Sequence, residues 1–156
     1  MTVYSNTTPL LAFCALQRLE ILQALYGRLF RADTVIRECA AGGPIPVPDL
    51  KALPWIHALS APAIPDARFF TLDAGERDTL SLALVGKADL VLIDERLGRN
   101  LAEYHGLSVV GTLGTLLRAR RAGLIGSFLD EVRRLQGFGF WDHEPLVQRL
   151  AGLAGE

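Results

Sequence analysis

Apolar residues arrive along this chain in short runs, separated by stretches that repeat at helical spacing. Residues 1–4 read as a short buried strand, followed by the polar quartet Ser5-Asn6-Thr7-Thr8 and then Pro9, a residue suited to a helix start. Residues 9–16 predict that helix. Leu19, Leu22, Leu25 and Tyr26 continue at helical spacing until Gly27 ends the segment. Leu29–Ala32 predicts a second short strand, and Asp33 or Thr34 can cap a helix carrying Val35, Ile36 and Glu38. Residues 40–48 are rich in Gly and Pro and predict a loop.

The second half is more regular. Residues 54–65 hold a short, less defined element between prolines. Asp73 and Glu76 have the spacing of a reciprocal capping box at the start of a helix through Val85. Residues 88–93 (ADLVLI) are nearly all apolar, as a central parallel strand covered on both faces requires. This strand ends in Asp94. A helix over 97–104, a strand over 107–110, a turn over 111–114 and a helix over 116–122 follow, then helices over 125–135 and 145–153. Between those last two, Phe138, Phe140 and Trp141 lie in a glycine-containing bend as aromatic anchors. Strands alternating with helices predict a three-layer α/β domain, and 156 residues are most simply one domain, 1–156.

Composition changes this picture little. Half the residues are apolar and the formal charge is −1, so disorder is excluded as the main state and any nucleic acid would be held by a local patch. Cys14 and Cys39 lie in apolar surroundings and read as buried free thiols, which fits a reducing cytoplasm. Residues 9–16 are too few to span a membrane, so no membrane partner is expected.

The candidate chemistry lies at strand ends. Open parallel sheets bind ligands beyond the carboxyl ends of their strands. Asp94 directly follows its strand and Asn6 the first, while Glu38 and Glu76 sit on helices that can reach the same edge. Acids gathered from distant segments repel one another unless a cation offsets the charge. Asn6, Glu38, Glu76 and Asp94 therefore predict a Mg2+ or Mn2+ site that acts on a phosphodiester, with Glu38, Glu76 and Asp94 as the catalytic acids.

Each residue also has a structural reading. Asp94 can cap the next helix, Glu76 can serve only Asp73, and Asn6 can bond to nearby backbone. Glu38, near the end of its helix, is unfavourable toward the helix dipole without a compensating partner. Asp78 reads as a solvent-facing acid outside the site. Arg96 and Arg99 are candidates for a phosphate, with surface solubility as the competing reading. The basic run 118–121 reads as a solvated helix face, and Trp55, Phe138, Phe140 and Trp141 as packing residues before base-stacking ones.

The ordered segments SNTTPLL from Ser5, VIRE ending in Glu38, DAGERDTLSLA from Asp73, ADLVLIDER containing Asp94, VVGTLG from Val109 and RAGLI from Arg121 resemble the PIN-domain superfamily. The nearest likeness is to its branch of small prokaryotic nucleic-acid-binding PIN-like proteins. The resemblance spans essentially the whole chain and implies a three-layer α/β/α domain with a central parallel sheet. It further implies an acidic pocket at Glu38, Glu76 and Asp94 that binds Mg2+ or Mn2+ and cleaves single-stranded RNA. A toxin role, a small antitoxin partner and a homodimer are implied as well. Asn6 stands where the nuclease pattern usually has its first Asp, and Thr8 where it often has Asn or Ser. An amide offers a carbonyl oxygen but no negative charge, so the expectation is a nuclease weakened at Asn6. The alternatives are a catalytically inactive nucleic-acid-binding or regulatory protein, and a domain whose surface serves a protein partner.

Overall fold

The structure is a computed structural model that describes residues 1–140 and 143–156. Its strands are β1 (Val3–Ser5), β2 (Leu29–Ala32), β3 (Ile56–Leu59), β4 (Leu90–Leu92) and β5 (Val109–Val110). Helices α1 (Thr7–Ala15), α2 (Glu20–Tyr26), α3 (Asp33–Ala40), α4 (Ala74–Val85) and α5 (Arg96–Tyr104) connect them. Helices α6 (Thr112–Arg121), α7 (Phe128–Gly137) and α8 (Glu144–Leu153) follow the last strand. Short 3-10 turns occupy Leu50–Ala52 and Ala67–Thr71.

All five strands are parallel, in the order β3-β2-β1-β4-β5. The chain builds outward from β1 to β3, then returns to the other side of β1 for β4 and β5. Parallel crossovers are right-handed, so this reversal puts α1 and α2 on one face and α4 and α5 on the other, with α3 packed against both α1 and α4. The packing agrees: α4 lies against β1 and β2 and beside α5, while α6 joins α1 and α2 and carries α7 and α8. The result is the expected α/β/α domain.

The core follows from the strand sequences. Val91, Leu92 and Ile93 are fully buried, as a central strand with helices on both faces must be. Tyr4, Phe30 and His57 stack across β1, β2 and β3 on one face, with successive ring centroids 5.3 Å apart. Cys14 and Cys39 are buried free thiols, and burial pushes them up to about 11 and about 12.

Several boundaries differ from the sequence reading. Residues 111–114 do not form a turn: Gly111 occupies the cap position of α6, which starts at Thr112 because Leu113 and Leu116 bury against the core. The helix that starts at Asp33 has Ala32 in the cap position, and neither Asp33 nor Thr34 caps it, because the backbone leaves β2 directly into the helix. The loose element over 54–65 contains β3, held by four register pairs with β2. Trp55 and Phe140 pack against the core and Phe138 is exposed. Trp141 lies outside the described residues.

Candidate functional site

The reversal of strand order falls between β1 and β4, and there a parallel sheet leaves a crevice at its carboxyl edge. Ser5 is in register with Leu92, and the next residue, Asn6, donates its backbone N–H to the Leu92 carbonyl at 2.9 Å. This pairing fixes Asn6 and Asp94 as neighbours at the ends of adjacent strands. Asn6 is buried, and its Oδ1 accepts no hydrogen bond from any described residue.

Glu38 crosses from α3 to join two helix starts. One carboxylate oxygen accepts from the Thr7 hydroxyl at the start of α1, and the other accepts from the Gly75 N–H at the start of α4, at 3.0 Å. These donors, with the positive ends of both helix dipoles, compensate its poor position on its own helix. Gly75 is required for this approach, since a Cβ there would stand 2.3 Å from the Glu38 carboxylate. Thr7 and Gly75 are the sequence neighbours of Asn6 and Glu76, so Glu38 ties together the two helix starts beside them.

Glu76 lies in the first turn of α4 and is 5% exposed. Asp73 caps this helix, accepting from the Glu76 N–H at 2.9 Å. Glu76 Oε1 is buried with no hydrogen-bond partner among the described residues, beside Gly98, where an added Cβ would lie 3.4 Å away. Burial first, then the negative charges of Asp73 and Glu95, push this carboxyl up to about 7.

Asp94 does not cap α5, whose cap position is Glu95 with no side-chain bond. Its two oxygens instead accept from the Thr112 N–H at 2.7 Å and the Thr112 hydroxyl at 2.6 Å, at the start of α6. Burial pushes the Asp94 carboxyl up, while the Thr112 donors and the nearby Arg99 guanidinium pull it down. Gly111 gives it room, because a Cβ there would lie 2.6 Å from Asp94 Oδ1 and 2.9 Å from Arg99 Nη1. Removing the hydroxyl with Thr112→Val is expected to cost about 1–3 kcal/mol, because a half-buried carboxylate oxygen loses its donor. Urea unfolding against wild type measures it, and an unchanged midpoint would mean solvent replaces that donor.

The structure ties Glu38 to Thr7 and Gly75, the chain neighbours of Asn6 and Glu76, and sets Asp94 beside Asn6 through the sheet. Asp94 faces Thr112 and Arg99 more than the other acids. Among the described residues, no three His, Cys, Asp or Glu side chains stand close enough to hold an ion by themselves. Asp78 is not the solvent-facing acid expected from its spacing. It is half-buried and accepts from the Thr34 hydroxyl at 2.9 Å, because α3 packs over that side of α4.

Thr7 and Thr112 escaped the sequence reading. Their signal was a hydroxyl directly after a strand end, in the polar quartet and in Gly111-Thr112.

A protein-family model described as PIN domain matches residues 2–156. Comparisons with curated proteins and with solved structures found no match.

Proposed function

This chain belongs to the PIN-domain family, and from that premise we propose that it is a metal-dependent endoribonuclease that cleaves single-stranded RNA as the toxin of a toxin–antitoxin pair. The fold is of nuclease type, and PIN domains generally bind nucleic acid and use divalent metal ions. No described helix is long and apolar enough to cross a membrane.

One observation carries this reading. Two buried oxygens, Asn6 Oδ1 and Glu76 Oε1, have no partner among the described residues, near the crevice where the strand order reverses. Buried polar atoms are rarely orphaned without a reason, and both are hard donors of the kind Mg2+ and Mn2+ prefer. Magnesium usually keeps several waters and takes one or two carboxylates. That fits Glu76 as the charged ligand and Asn6 as a neutral one, with Glu38 and Asp94 adding charge through the lone pairs their protein bonds leave free.

A bound ion would supply Lewis acidity toward the phosphodiester and make an attacking water more acidic. The chain's own residues do the positioning. Glu38 holds Thr7 and Gly75, and so braces the helix starts that carry Asn6 and Glu76. Asp94, clamped by Thr112, keeps a fixed negative charge beside Asn6, where it can orient the water. Hydrolysis breaks one P–O ester bond, with the water oxygen joining phosphorus and a proton passing to the departing alkoxide.

A second reading, RNA binding without cleavage, is favoured by a specific feature. All four oxygens of Glu38 and Asp94 are already engaged by protein donors, and Asn6 brings no charge.

Purified protein incubated with mixed single-stranded RNAs in manganese, then in magnesium, separates the two. Cleavage abolished by chelator and by Asp94→Asn is expected. RNA bound but uncut by well-folded protein at high concentration would leave the binding role. Asn6→Asp adds a charge to the ligand set and is expected to tighten manganese binding about tenfold. Unchanged affinity in a calorimetric titration would mean Asn6 does not face the ion. Co-purification with a small protein from a neighbouring gene tests the antitoxin, and sedimentation tests the homodimer.

A further inference from the structure

A cavity of about 550 Å3 opens beside Asp94, between α5, β5, α6 and α8. Its polar wall comes from one face of α5, where Arg96, Arg99, Asn100 and Glu103 follow at spacings of three, one and three residues. Its other side is apolar, formed by Val109, Leu113, Leu146 and Leu150. The site described above accounts for Asp94, Arg99 and Gly111 at one end of it and for none of the other lining residues.

The wall is graded in charge. Arg96, nearest Asp94 in sequence, forms no ion pair or side-chain hydrogen bond with any described residue. Arg99 is steadied by its Nη1 donating to the Ile93 carbonyl at 3.2 Å, which leaves its other donors free. Asn100 adds a neutral amide, and Glu103 closes the far end with a negative charge. Seven residues of helix separate Arg96 from Glu103, about 10 Å at the usual rise. Arg96 and Arg99 together outweigh Asp94 at one end, so an anionic group is attracted to the arginines and repelled from the Glu103 end.

We propose that this cavity holds one nucleotide of the RNA strand, adjacent to the phosphate presented to the acidic crevice. Its phosphate lies against Arg96 and Arg99, and its base lies on the apolar side with an edge toward Asn100. The proposal rests on the ribonuclease reading for the strand's identity, and deepens it by giving the strand a direction away from Asp94. A nucleotide suits the cavity because it joins one anionic group to one flat, weakly polar one. Arginine forks match phosphate oxygens, and an amide can pair with a base edge. The volume falls in the range of pockets for small ligands.

The test uses the full chain in chelator, so that cleavage plays no part. Adenosine 5′-monophosphate and uridine 5′-monophosphate are titrated while backbone amide shifts are followed by NMR, with adenosine and inorganic phosphate alone as separate arms. Shifts are expected at Val109, Leu113 and Leu146, with each fragment binding more weakly than the nucleotide. Arg96→Glu, an exposed substitution that leaves the core intact, is expected to weaken nucleotide binding about tenfold or more. Leu146→Trp, which fills the cavity, is expected to do the same without reversing charge.

No binding at millimolar concentration would overturn the proposal, as would shifts confined to the 118–121 face or an unchanged affinity in Arg96→Glu. Efficient RNA cleavage by wild type and by both variants alike would also overturn it, while leaving the acidic crevice as the cutting site. Nucleotide binding in the cavity without any RNA cleavage would support it and count against the nuclease reading alone.

Discussion

Glu76→Gln is expected to remove manganese binding and RNA cleavage together, and to stabilise the metal-free protein above neutral pH. The carboxyl is pushed up to about 7 by burial, from about 4.5 in an open chain. Between those values the folded chain holds a proton that the unfolded chain has released. Stability of the metal-free protein therefore falls as pH rises through that window, and levels off above about 7. At about 1.4 kcal/mol for each pH unit, the loss is on the order of 3 kcal/mol. Glutamine cannot ionise, so its curve lacks this descent.

Saturating manganese at pH 7.5 is expected to restore the stability of wild type, because the ion binds the ionised folded form, and to leave Glu76→Gln unchanged. Urea unfolding at pH 5 and pH 8, with and without manganese, reads all four corners. Parallel pH curves for the two proteins would show that Glu76 is solvated normally. Equal stabilisation of both by manganese would place the ion elsewhere.

Gly75→Ala is expected to dismantle the crevice while leaving the fold in place. A Cβ at this position would stand 2.3 and 2.6 Å from the two Glu38 carboxylate oxygens. Glu38 is long enough to swing away, so the clash itself is relieved cheaply. The displacement breaks its bonds with Thr7 and with the Gly75 N–H, and removes the brace between the starts of α1 and α4. Losing two part-buried hydrogen bonds costs about 2 kcal/mol. Misplacement of reacting groups by about an ångström is worth on the order of a hundredfold in rate.

Glu38→Gln separates geometry from charge, since an amide retains one acceptor for the same donors. It is expected to keep more stability than Gly75→Ala while still losing activity. Full activity in Gly75→Ala would remove Glu38 from its positioning role.

Much of the fold was legible because its signals are local. Residues 88–93 are apolar without alternation, and only a strand buried on both faces suits that. Asp73 caps α4 as read, accepting from the Glu76 N–H, since three residues of backbone determine that contact. The errors lie where local signals compete. Gly111 and Gly114 suggested a turn, but packing of Leu113 and Leu116 on the core draws the same residues into α6. Asp78 pointed to solvent on an isolated helix, until α3 covered that side of α4.

The acids, their placement beyond strand ends and the amide at Asn6 are properties of the sequence by itself, since residue type and short-range periodicity determine them. So is membership of the family, which follows from the order of six short segments over the whole chain. Only the tertiary structure decided which oxygens are free. Asn6 Oδ1 and Glu76 Oε1 are orphaned, while Glu38 and Asp94 are held by Thr7, Gly75 and Thr112 from 31, 37 and 18 residues away. Those pairings depend on the crossover that reverses the sheet between β1 and β4. Such long-range closure is set by packing of the whole core, and no local pattern encodes it.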